Sequence, residues 1–314
     1  MPDVIDAVES GFRSIASGKV KIPERLQVDL PSQQAILLEM PAYADLNGEA
    51  ALGTKIVSVF QSNASRGLEI VQAAYLLLDS DTGAPLSLMD GRFITAIRTA
   101  ATSAVATKFL SNPGAKRLAI FGAGVQAQFH IKAMFEVAEI NEVTIVSRSP
   151  EKARVLVDHT KRQYNVACEI VEADEAVANA DLICACTSSP VPLFNGALIK
   201  AGAHINAVGA FTPSTRELDS ETVQRARVFI DAESAAGREA GELLIPISEG
   251  VIDKTHIRGD LAGLVSATVV GRKSEVDITL FKSCGLAIED LVTAHLAYER
   301  ASANGLGVSF EPGD

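Results

Sequence analysis

The sequence predicts an α/β protein in which a doubly wound parallel sheet is joined to a separate α+β domain. Two observations predict it. Short apolar runs rich in Val and Ile recur after residue 112, namely RLAIF (117–121), VTIVS (143–147), LICACT (182–187), INAVGA (205–210) and VFIDA (228–232). Helical patterns such as QAQFHIKAMFEV and PEKARVLVDHTKR separate the first of them, which is the signature of parallel strands buried on both faces with helices as crossovers. Before residue 112 the pattern changes: LQVDL, AILLEMPAY, LGTKIVSVF, IVQAAYLLL and APLSLMDG read as strands joined by turns, and DSDTGAP is a hairpin signal. Residues 1–112 are therefore expected to form one domain, completed by a C-terminal helix over 285–314, and residues 113–284 the other.

Taken in order, PDVIDAVESGFRSIASG reads as a first helix, the five strands follow, and RFITAIRTAATSAVATKFL is a second helix ending at the turn SNPGA. The run RLAIF then leads into FGAGVQAQFH. Gly122, Gly124 and Ala127 make G-x-G-x-x-A directly after a strand and before a helix, the context of a Rossmann-type dinucleotide loop. Gly122 permits the tight turn, Gly124 lets a pyrophosphate approach the backbone, and Ala127 keeps helix and strand close. Val125 and Gln126 open the helix, whose N-terminus offers N–H groups to phosphate.

The end of the next strand selects the cofactor. An acid there would bind the ribose hydroxyls of NAD, whereas this chain has Ser147, Arg148 and Ser149. Arg148 can pair with a 2′-phosphate and the serines can donate hydrogen bonds. NADPH is the expected cofactor, with NADH possible. Further on, VGAFTPSTREL (208–218) reads as a strand end, a turn at Thr212 and Pro213, and a helix start with Ser214 as cap and Glu217 three residues later. In GLAIEDLVTAHLAYERASA, residues Leu286, Ile288, Leu291, Val292, His295 and Leu296 recur at helical spacing, so this last helix is expected to pack back on the first domain.

Composition bounds the partners. The 314 residues exceed the usual single-domain size and can bury an ample core. With 28 basic and 39 acidic residues the net charge is −11, which repels phosphate backbones and anionic lipid, so neither nucleic acid nor membrane is an expected partner. There is no long uncharged apolar run and no secretory pattern at the start, and the expected location is the cytoplasm. Cys168, Cys184, Cys186 and Cys284 form no CxxC pair, and Cys184 and Cys186 alternate within an apolar strand as small core residues. The five histidines, His130 and His204 among them, lack HxxxH spacing, and no metal is implied.

Two cations stand out. Lys55 is a lone cation inside the apolar strand GTKIVSV, and Arg98 lies on a helix of small apolar residues. A buried cation needs an anion. A substrate carboxylate, held bidentately by the arginine, is one solution; an internal salt bridge to a protein acid is the other. Asp277 and Lys282 in DITLFKS read as polar contacts joining the domains.

The stretches SLMDGRFITAIRTAATSAVATKFL, FGAGVQAQFH and DITLFKSCGLAIEDL, in this order and spacing, resemble the ornithine cyclodeaminase/mu-crystallin family over nearly the whole chain. The resemblance implies a homodimer built through the non-Rossmann domain and an active site in the cleft between domains. It matches Arg25, Lys55 and Arg98 to the residues that meet the substrate in relatives, and Thr187 and Thr99 join the cofactor-facing set. One departure is a short strand that many relatives carry before the first helix, which here is missing or lies upstream of the assigned start.

In the family's cyclodeaminases and alanine dehydrogenases an aspartate aligns with Phe211. That carboxylate handles the substrate's amino group, and phenylalanine cannot. The GAFTPS form is similar to the ketimine-reductase branch, whose substrates are Δ1-pyrroline-2-carboxylate and Δ1-piperideine-2-carboxylate. A carboxylate clamp, a nicotinamide and an apolar wall at Phe211 suit a substrate that arrives already as an imine. The resemblance thus implies NAD(P)H-dependent reduction of a cyclic imino acid to L-proline or L-pipecolate. Ornithine cyclodeamination, opine-type, N-alkyl amino acid or alanine dehydrogenase chemistry, and a non-enzymatic crystallin-like binding role stay open as alternatives.

Overall fold

The computed structural model describes residues 1–46 and 48–309. Helix α1 (Pro2–Ala16) is followed by β1 (Val20–Lys21), β2 (Leu26–Leu30), β3 (Ala35–Leu46), β4 (Glu49–Phe60), β5 (Val71–Leu78) and β6 (Pro85–Asp90). These strands form one antiparallel sheet in the order β1-β3-β4-β5-β6, with β2 also paired to β3. Strict alternation decides which side chains are covered. On β4, Ala51, Gly53, Lys55, Val57 and Val59 are buried, while Ile56 is exposed. The DSDTGAP segment is the β5–β6 turn, where Asp79 Oδ1 accepts from the backbone N–H of Asp81 and Thr82 and from the Thr82 hydroxyl.

Helix α2 (Gly91–Leu110) is buried without a break from Ala96 to Thr107, a span that small residues make possible. After it come β7 (Arg117–Phe121), α3 (Val125–Val137), β8 (Glu142–Val146), α4 (Pro150–Tyr164), β9 (Ala167–Ile170), α5 (Ala173–Asn179), β10 (Leu182–Ala185) and β11 (His204–Ala207). The second half adds α6 (Ser220–Arg225), β12 (Ala226–Ile230), α7 (Glu233–Glu239), α8 (Gly241–Ser248), β13 (Ile257–Asp260), α9 (Leu261–Val265) and β14 (Ile278–Lys282), and α10 (Ala287–Ala303) closes the described chain. Strands β7 to β14 make one sheet in the order β13-β12-β14-β11-β10-β7-β8-β9, with every pair parallel. Every residue of β10, β11 and β14 is buried, as the apolar runs require.

Besides the two-residue β1, three strands of the parallel sheet are absent from the sequence reading. Strand β9 is an edge strand with Cys168 as its buried residue, and β13 is an edge strand interrupted by Gly259 at φ +155°. Strand β14, by contrast, is wholly buried, and it lay inside the stretch DITLFKS read for its polar ends.

Two compact units emerge: residues 6–98 with the segment from Leu286 onward, and Met1–Ile5 with Thr99–Gly285. The division falls inside α2, ahead of residue 112. Polar side chains on the second half of α2 explain it. Ser103 Oγ meets His130 Nε2 at 2.9 Å, Thr107 Oγ1 accepts from Asn206 Nδ2 at 3.0 Å, and the Leu110 carbonyl accepts from Thr279 Oγ1. In the other unit, α10 packs on β3, β4 and β5. There α1 comes so near that a Cβ on Gly11 would lie 3.1 Å from Ile288 and Val292. No helix among the described residues is long and apolar enough to cross a membrane.

Candidate active site

In the antiparallel unit the two lone cations find protein acids. Lys55 is 1% exposed and donates to Asp290 Oδ2 at 2.6 Å; Arg98, 6% exposed, donates through Nε to Asp290 Oδ1 at 3.0 Å and through Nη1 to Glu289 Oε2 at 2.6 Å. Glu289 has a second task, for its Oε1 accepts from the Leu286 N–H and so closes the first turn of α10. Two cations and two carboxylates cancel in charge, the condition for burying them together. In the sequence the acid pair stands in GLAIEDL as two adjacent carboxylates on an otherwise apolar helix.

The cluster leaves chemistry available. An ammonium has three donors, and among the described residues Asp290 is the hydrogen-bond partner of Lys55, so two N–H groups are uncommitted. Burial pushes the Lys55 pKa down to about 8, against the pull of Asp290 and with help from the charge of Arg98. Arg98 stays protonated: burial opposes its charge, and Asp290 and Glu289 outweigh burial. Directly across from Lys55 in the sheet is Tyr75, fully buried, with no hydrogen-bond partner for its hydroxyl among the described residues. Arg25 is half-buried just before β2. Because Leu26 pairs with Glu39 and Met40 with Lys55, Arg25 lies at the level of Lys55 two strands away, about 10 Å by strand spacing.

In the parallel unit the dinucleotide loop has the form its residues require. Gly122 sits at φ +110°, and a Cβ there would lie 2.7 Å from the Cys186 carbonyl at the end of β10. Gly124 precedes α3 in an extended conformation without a side-chain cap, and a Cβ there would meet nothing within 4 Å. Space is thus open at Gly124, where a pyrophosphate would approach the first turn of α3. Val125 is exposed, Ala127 is buried, and Gln126 has a buried Oε1 without a partner among the described residues. These residues fit a dinucleotide. After β8, Ser149 N–H donates to Ser147 Oγ and Ser149 starts α4, while Arg148 is exposed with no ion-pair partner among the described residues.

The stretch 208–218 departs from its sequence reading. Strand β11 ends at Ala207, and no helix starts at Ser214. The cap is Asp219, which accepts from the Thr222 N–H at 2.8 Å and begins α6. Glu217 is instead fully buried. Its Oε1 accepts from the Thr187 N–H and hydroxyl, both at 2.7 Å, and its Oε2 from the Gly209 N–H at 2.7 Å. Lys282 donates to the Ala210 carbonyl, so half-buried Phe211 follows two anchored residues. Thr187 has its hydroxyl engaged by Glu217 and by the Ser189 N–H, and Thr99 is buried on α2. Lys282 lies within the parallel unit, 3.1 Å from Glu242. His130 and His204 are buried, and burial pushes their pKa values down to about 4 and 3. Cys168, Cys184 and Cys186 are free thiols.

The Ornithine cyclodeaminase/mu-crystallin family matches residues 1–305. The chain belongs to this family. Among family members, the Delta(1)-pyrroline-2-carboxylate reductase of Bacillus cereus is 36% identical over 313 residues, 99% of this chain and 95% of the relative. The ketimine reductase mu-crystallin of Rattus norvegicus is 38% identical over 95% of this chain and 91% of its own. A solved family structure, the Thermococcus litoralis Delta(1)-pyrroline-2-carboxylate reductase in complex with NADH and L-proline, is 40% identical. It superimposes with a TM-score of 0.96, covering 99% of this chain and 96% of that one.

Proposed function

We propose that this protein is an NAD(P)H-dependent ketimine reductase, converting Δ1-pyrroline-2-carboxylate or Δ1-piperideine-2-carboxylate to L-proline or L-pipecolate. The likeness to the Thermococcus litoralis reductase over nearly the full length carries the reading. Residues 6–98 with α10 supply the substrate groups, and Thr99–Gly285 hold the dinucleotide. Gly122, Gly124 and the first turn of α3 would take the pyrophosphate, and Arg148 the 2′-phosphate of NADPH. When bound, the reduced nicotinamide supplies the hydride that adds to the imine carbon.

The protein's share is binding and proton supply. Arg98 and Lys55 hold the imino acid's carboxylate, with Arg25 beside them. Lys55, its pKa near 8, is protonated at neutral pH and weak enough as a base to release a proton to the ring nitrogen as the C=N bond is reduced. Phe211 closes the apolar side of the ring. It offers no carboxylate to take up an amino group, so deamination lacks a base. The purified protein is expected to oxidise NADPH with either cyclic imine and to release no ammonia from L-ornithine with oxidised cofactor. Ammonia release without imine reduction would sink the proposal.

The functional unit is a homodimer. Directly paired strand residues share a face, so Leu26, Tyr43, Ile56 and Leu88 all project from the sheet face opposite Lys55, and all are exposed. Apolar side chains gathered on one face fit a second copy of the chain. Sedimentation is expected to give twice the chain mass for the wild type and the chain mass for Ile56→Asp. A wild-type monomer would exclude the assembly.

A further inference from the structure

The buried carboxylate of Glu217 accepts three hydrogen bonds, and the reaction proposed above gives it no role. Its three donors come from two different places: Thr187 follows β10, and Gly209 follows β11. The chain runs outward from β7 to β8 and β9, then returns to place β10 on the other side of β7. In such a sheet a ligand binds outside the carboxyl ends of the strands where the order reverses. Here that point lies between β7 and β10, where Gly122 meets the Cys186 carbonyl. Thr187 is the next residue.

The packing at this edge leaves no slack. A Cβ on Gly209 would lie 2.0 Å from the Thr187 carbonyl and 2.6 Å from Glu217 Oε2. The Glu217 N–H donates to Glu242 Oε1 at 2.9 Å, and Glu242 Oε2 lies 3.1 Å from Lys282 Nζ. The titratable groups facing Glu217 are thus Glu242 from α8, Lys282 from β14 and Cys186 after β10, with Cys284 beside Lys282. Two carboxylates share one ammonium in a site closed to water. Burial pushes the Glu217 pKa up to about 7, with Glu242 adding to the rise and the Thr187 hydrogen bonds and Lys282 opposing it.

We propose that Glu217 is a positioning residue for the dinucleotide: its ionised carboxylate ties the ends of β10 and β11 together in the form that accepts the cofactor, and its protonation releases them. An ionised carboxylate only accepts hydrogen bonds, so both oxygens serve the three donors. Protonation turns one oxygen into a donor facing N–H or O–H groups, and one anchor is lost. Cofactor affinity is therefore coupled to one proton. The inference rests on the reductase reading only in taking the ligand to be a nicotinamide dinucleotide.

The test is equilibrium binding of NADH to the full chain, followed by NADH fluorescence without substrate. NADH is the probe because NADPH carries a phosphate monoester that itself titrates near pH about 6. If only the ionised form binds, the wild-type Kd rises about tenfold from pH 8 to pH 6, since the competent fraction falls by that factor. Glu217→Gln places an NH2 group against the donors, and it is expected to bind about tenfold more weakly at pH 8 and to show a flat profile. Thr187→Val removes one donor to the carboxylate and should move the wild-type midpoint to higher pH. That shift is a response that loss of packing alone does not produce, and it keeps the test open if Glu217→Gln fails to fold. A wild-type Kd that is constant between pH 6 and 8, or a Glu217→Gln protein that keeps the wild-type profile, overturns the proposal. Absence of NADH binding at every pH overturns the reductase reading with it, a result distinct from binding that ignores pH.

Discussion

Replacing Lys55 by methionine is expected to reduce kcat for imine reduction by roughly a hundredfold to ten-thousandfold, the range general acid catalysis supplies. Methionine keeps the length of the buried stem and removes the ammonium. It removes the proton source and one arm of the carboxylate clamp together, so KM should rise as well. The substitution also leaves Asp290 with Arg98 as its cation in a buried site, and breaking a buried pair costs about 3–5 kcal/mol. Activity and folding must therefore be separated. The double variant Lys55→Met with Asp290→Asn removes both charges of the pair and is expected to recover much of the lost melting temperature while staying inactive. A Lys55→Met protein with wild-type kcat at neutral pH would show that the proton comes from elsewhere. In the wild type, kcat/KM should fall as pH rises through about 8, where Lys55 loses its proton.

Arg148→Asp is expected to reverse the order of cofactors. The wild type should prefer NADPH to NADH, because Arg148 is exposed beside Ser147 and Ser149 with no ion pair to give up. A charge-assisted hydrogen bond is worth roughly 1.5 to 3 kcal/mol, or about ten- to a hundredfold in affinity. Aspartate removes that contact, repels the 2′-phosphate and offers an acceptor to the ribose hydroxyls. The two effects act in opposite directions on the two cofactors. Competitive kinetics with both check the ratio, and equal kcat/KM values in the wild type would refute the assignment.

What the sequence made legible follows from what a linear pattern can carry. Strand β7 was legible because RLAIF is an apolar run bounded by turn residues, and the glycine loop because its context lies within a dozen neighbours. The edge strands β9 and β13 were not, since an edge strand needs little burial and shows little periodicity. Lys55 and Arg98 announced themselves as cations in apolar surroundings. Their partners lie 235 and about 190 positions away, and no spacing rule reaches that far. Glu217 shows the opposite failure. Its distance from Ser214 matched a capping box, but its carboxylate is engaged by Thr187, thirty positions upstream, and the helix begins at the next competent cap.

The pairing of Arg98 with Asp290 across 192 positions also orders events during synthesis. A ribosome adds about 5–20 residues per second, so roughly ten to forty seconds separate the emergence of the arginine from that of its aspartate. Throughout that interval the N-terminal sheet carries two cations at positions destined for burial without their native partners, Glu289 and Asp290. The parallel unit is under no such restriction, because every residue from 99 to 285 precedes α10. Nascent chains should therefore show a dinucleotide unit that is protected from protease while the strands made before it are still cut, with protection of those strands arriving last. The segment from Leu286 onward decides when residues 6–98 are folded.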